Sequence, residues 1–129
     1  MRQARSPKIS VQYYGQAMKL PNGDQAKIPM EKLIGYCLNP EHPSGKHKAR
    51  VFTSVLGITV ENAEILYEMI KTAAIAGEVI QQNNTEFGQQ FKVDWIVPDT
   101  DRIKLRTIWE ITAKNPYPRL ITAFLKLND

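Results

Sequence analysis

The densest run of chemically capable side chains is residues 39–50, NPEHPSGKHKAR, which holds both histidines of the chain, His42 and His47. Histidine exchanges a proton near neutrality and serves as general acid or base. Lysine and arginine stabilise the charge that develops on phosphate. Phosphodiester cleavage needs both functions, and this run offers Lys46, Lys48 and Arg50 beside the two rings. His47 opens a helix in this reading, and backbone N–H groups at a helix start attract anions. That makes His47 and Lys48 candidate catalytic residues, and His42, Lys46 and Arg50 candidate substrate-binding residues. His42, between Glu41 and Pro43, is expected to brace the loop as well. Arg106 and Arg119 are further candidate cations, far along the chain. A working site requires the 46–50 turn to share a surface with at least one of them. The competing reading is a set of solvated charges and a loop-bracing histidine.

Cys37, His42 and His47 are spaced C-x4-H-x4-H, with Glu41 adjacent. Three such ligands are what a catalytic zinc uses, but the spacing matches no standard zinc motif. Cys37 also falls on the apolar face of its helix, where a thiol is inert. No metal and no cofactor are therefore expected. The chain contains no G-x-S-x-G, Walker loop, dinucleotide fingerprint or H-E-x-x-H, so most common enzyme classes lack their signatures.

The elements that must position these residues follow from periodicity. LPNGD, residues 20–24, is a turn, because Asn-Gly tolerates positive φ. Pro29 then stands where a helix begins, and MEKLIGYCL places Leu33, Ile34, Cys37 and Leu38 on one face until Asn39, which precedes Pro40. In KHKARVFTSVLG, Val51, Phe52, Val55 and Leu56 form an apolar stripe, and Gly57 is a left-handed stop. Thr59 caps the next helix, with Val60, Ala63, Ile65, Leu66, Met69, Ile70 and Ala73 buried up to Gly77. The period then changes to two. QFKVDWIV alternates Phe91, Val93, Trp95 and Val97, and RIKLRTIWEI sets Leu105, Thr107 and Trp109 against Arg102, Lys104 and Arg106. After the connection TAKNPYP, LITAFLKL is a third strand, and 9–14 or 25–28 could add a fourth. Helices first and a meander last predict an α+β fold: N-terminal helices packed on a three- to four-stranded antiparallel sheet. Residues 1–8 are expected to be a flexible basic tail and 9–129 a single domain.

The chain has 129 residues, 43% apolar and 23% charged, enough for one core. One cysteine excludes an internal disulfide framework, and no apolar run suits a signal peptide or membrane span. A cytoplasmic location without membrane contact is expected. The net charge of +4 is segregated. Arg2, Arg5 and Lys8 are unopposed, 42–60 are basic, 61–101 acidic, and 102–129 basic again. Two distant basic segments suit a composite anion-binding site.

The runs LPNGDQAKIPMEKLIGYCLNPEHPSGKHKARVF, LGIT, FGQQFKVDWIV and PRLITAFL together resemble an uncharacterised bacterial domain family, common in cyanobacteria. The resemblance spans 20–126 and implies a small protein partner from a neighbouring gene. More distantly, helices followed by a meander, a His-Lys element and late-strand arginine and threonine look like the ribonuclease toxins of the barnase, colicin and RelE-like group. That likeness implies a metal-independent site at His47, Lys48, Arg106, Arg119 and Thr122. Two functional readings follow: a toxin-like RNA-cleaving domain, or a non-catalytic module that binds nucleic acid or protein.

Overall fold

Three helices precede a four-stranded antiparallel sheet in a computed structural model that describes residues 18–127. The expected basic tail and the expected strand at 9–14 lie outside the described residues. Helix α1, Met30–Lys32, runs on as a π-helical turn, Leu33–Cys37. Helix α2, Lys46–Val51, likewise continues into a π turn, Phe52–Leu56, and Gly57 closes it at φ 69. Only glycine takes that conformation without a steric cost. Thr59 and Asn62 form a reciprocal capping box ahead of α3, Ala63–Ala76.

The sheet runs β1 (Glu78–Thr85), β2 (Gly88–Ile96), β3 (Lys104–Thr112) and β4 (Asn115–Lys126), each paired to the next. Register aligns Phe91 with Trp109 and Val93 with Thr107, and then Thr107 with Ala123 and Leu105 with Leu125. These side chains are buried on one face, which α3 covers with Leu66, Ile70 and Ala73. Trp109 is fully buried, and its indole N–H donates to Thr107 Oγ1 at 2.8 Å. Gly77 joins α3 to β1 where no side chain fits: a Cβ would stand 2.6 Å from both the Ala73 carbonyl oxygen and Val93 Cγ1.

Four expectations need correction. Among the described residues the fourth strand is 78–85, not 25–28. In it only Val79 is buried, so backbone pairing with β2 holds it rather than an apolar face. Segment 25–28 contributes a single parallel bridge, Lys27 to Arg119, which covers the start of the β4 edge. The connection at 112–118 shrinks to a turn at Ala113 and Lys114. Ile34, Val55, Val60 and Ile65 are exposed rather than buried. The contact stripes are narrower than the runs of apolar residues: α3 buries Ala63, Leu66, Ile70, Ala73 and Ala74, and Ile65 falls outside.

Candidate nucleic-acid interface

The alternation that buries Leu105, Thr107 and Trp109 turns Lys104, Arg106, Ile108 and Glu110 to the other face of the sheet. Register continues that face across the strands, because directly paired residues share a side. One row reads Asp94, Arg106, Phe124 and the next Ile96, Lys104, Lys126, while Lys92, Ile108 and Thr122 form a third. Apart from buried Thr122, these residues are half-buried or exposed. The face therefore combines several cations with an aromatic ring.

Its centre is an ion pair. Arg106 donates from Nε to Asp94 Oδ1 at 2.7 Å and from Nη2 to Oδ2 at 2.8 Å. This fork holds the guanidinium flat on the sheet. Phe124, the β4 partner of Arg106, carries the Lys48 ammonium 4.4 Å from its ring centroid. A cation over a ring face is attracted by the ring quadrupole, so α2 is tied to this face by Lys48. The 46–50 turn thus reaches the sheet beside Arg106.

The other candidates are dispersed. Lys46 is half-buried, and His47 is exposed, with no side-chain hydrogen bond or ion pair to a described residue. Arg50 is exposed and lines a separate groove with Leu38, Thr53 and Glu61. Arg119 lines a cleft with Lys32 and Tyr36. Thr122 is buried, its hydroxyl without a hydrogen-bond partner of good geometry. It lies next to Cys37, whose thiol is pushed above its usual pKa by burial. The Ala123 backbone, the charges of Lys32 and Lys48, and the Thr122 hydroxyl pull the other way without prevailing.

His42 organises the loop that leads into α2. Its Nδ1 accepts from the Ser44 and Gly45 N–H groups, each at 3.1 Å, and its carbonyl accepts from Lys46 N–H at 3.0 Å. The Ser44, Gly45 and Lys46 amides are thus taken up within the loop and do not face an anion. His42 braces the loop, with its ring edge-on to Tyr36 at 4.7 Å. The zinc arrangement also fails, because no group of three His, Cys, Asp or Glu side chains converges among the described residues. Cys37 is buried in the core and His47 is on the surface.

Sequence reasoning missed Asp94 and Phe124 as members of this face, and Lys32 and Tyr36 beside Arg119. The signal for Asp94 was present in QFKVDWIV, where burial of Phe91 and Val93 turns Lys92 and Asp94 outward. Only the register shows that Asp94 meets Arg106.

These features define a two-layer α+β domain in which the sheet face opposite α3 carries several cations. The chain belongs to DUF6883, a domain family of unknown function, which matches residues 19–127. No curated protein and no solved structure matches it. No helix among the described residues is long and apolar enough to cross a membrane.

Proposed function

We propose that this domain binds RNA along the Arg106 face of its sheet and cleaves it without a metal ion, as a toxin-like member of a two-gene pair acting in the cytoplasm. One observation carries the reading: Lys48 of α2 lies on Phe124 beside Arg106, on a face that also presents Lys92, Lys104 and Lys126. Cations from three strands and a helix gather on one side, as a polyanion requires. RNA supplies its own nucleophile, the 2′-hydroxyl. Cleavage then needs a proton acceptor, a proton donor for the leaving oxygen, and cations for the phosphorane charge. In this reading His47, exposed on the helix that also delivers Lys48, takes the acid–base role, and Lys48 and Arg106 stabilise charge. Arg119 and Thr122 are assigned by the ribonuclease likeness alone, and a small neighbouring-gene protein would cover the basic face.

The test is incubation of the purified protein with total RNA in EDTA. Fragments are expected, and His47→Ala should slow their formation by about 10²–10⁴-fold while the protein stays folded. Undiminished cleavage by His47→Ala, or cleavage that EDTA abolishes, refutes the mechanism. One observation favours a second reading, a module that binds nucleic acid without cutting it. The Arg106 guanidinium is already engaged by Asp94. RNA retained intact in a stable complex would select that reading.

A further inference from the structure

The cleft between α1 and β4 is an open cavity of about 390 Å³ lined by Pro29, Glu31, Lys32, Gly35, Tyr36 and Arg119. Small-molecule sites run from about 300 Å³ upward, so its size suits a small ligand. Its aromatic wall is held in place. Tyr36 meets the edge of His42 at an interplanar angle of 87°. It also packs on Gly45, where a Cβ would come within 3.1 Å of the ring and 2.9 Å of the Tyr36 carbonyl oxygen. The missing side chain at residue 45 thus lets the loop close on the ring. Lys32 stands over the ring with its ammonium 5.8 Å from the centroid.

Charge points the same way. Lys32 comes from α1 and Arg119 from β4, and Lys27 is the backbone partner of Arg119 on the bridging segment. Glu110 is the β3 partner of Arg119, yet Arg119 makes no ion pair with a described residue. Lys32 and Arg119 thus reach one cleft from separate segments, and an anion seated there is attracted by both. Glu31 on the same wall is an acceptor for hydroxyl or amine donors.

We infer that this cleft is a nucleotide subsite, in which a base stacks on Tyr36 while Lys32 and Arg119 hold its phosphate. The Lys32 stem is long enough for its ammonium to move from the ring to the phosphate as the base arrives. The inference rests on the RNA reading only for the source of the nucleotide, since a free mononucleotide offers the same chemistry.

The experiment is an amide chemical-shift titration with adenosine monophosphate, adenosine and inorganic phosphate. Adenosine monophosphate should shift Lys32, Gly35 and Tyr36 and bind about tenfold more tightly than either part, because both contacts are then made. Arg119→Gln should weaken it about tenfold, and Tyr36→Leu should cost a similar factor. Arg119 is exposed, so its variant decides the matter even if Tyr36→Leu loosens the loop. A tetranucleotide with a terminal phosphate binding more tightly than the monophosphate identifies an RNA end as the ligand, and equal affinity identifies a free nucleotide. Shifts confined to other residues, or unchanged affinity in Arg119→Gln, overturn the subsite. RNA cleavage with no nucleotide in the cleft sinks this inference alone. Nucleotide in the cleft with RNA neither bound nor cut sinks the RNA reading alone.

Discussion

His42 shows how much one ring can decide. Its Nδ1 accepts from the Ser44 and Gly45 N–H groups just ahead of α2, so the ring fixes the loop that leads into the helix. His42→Ala should lower stability by about 1 kcal/mol, measured by urea unfolding, as loss of loop hydrogen bonds does. Thr107 has a similar place in the core, where its hydroxyl is the acceptor for Trp109 Nε1. Thr107→Val keeps the shape and strands the indole N–H, at an expected cost of about 1–3 kcal/mol in the same assay. Cys37 should resist alkylation in the folded protein and react quickly in denaturant, because burial holds its thiol in the neutral form. Its pKa is raised by folding, so its contribution to stability is complete below the unfolded thiol value of about 8.5 and is lost as pH rises through the folded value. Cys37→Ala should therefore flatten the alkaline limb of the stability profile.

Among the elements, β1 is the least like its sequence. EVIQQNNT offers Val79 alone to the core, and the strand stands because β2 supplies backbone partners along its length. Its start depends on Gly77, which lets the end of α3 touch β2. Gly77→Ala should push these apart and cost about 1–3 kcal/mol, with β1 amides losing protection in hydrogen exchange before those of β3. The β4 edge is protected differently, by Lys27 at its start and by the α1 turn at Cys37 and Thr122. This is where the chain spends its short helices: they seal an edge as well as capping a core.

For the whole molecule, the relevant quantity is the balance of charge on the Arg106 face of the sheet. Asp94 is the acid set against Arg106, with only 9% of its side chain exposed, so it competes directly with a phosphate. Asp94→Asn should tighten RNA binding by about threefold to tenfold and steepen its salt dependence, read by fluorescence anisotropy across a salt series. Unchanged affinity would mean that RNA does not use this face. The acids of the middle of the chain, 61–101, are spread over α3, β1, β2 and the loops between the strands, and Asp94 brings one of them onto the Arg106 face.

The order of helices before strands, the Gly57 stop, the Thr59 cap and the burial of Leu105, Thr107 and Trp109 over Lys104 and Arg106 were all determined by the sequence itself. Each depends on φ preference or on a period of 3.6 or 2, and both are local properties. The same local logic identified residues 42–50 as the segment with chemistry in it. It could not identify β1, whose pairing is made by backbone groups that every residue has. Nor could it show that Asp94 would hold Arg106, that the His42 ring would take the Ser44 and Gly45 amides, or that Arg119 would face Tyr36 instead of His47. Those outcomes rest on strand register and on how α1 and α2 close against the β4 edge. Only the tertiary structure decides them, because a pairing between side chains far apart in the chain leaves no mark in the periodicity of either segment.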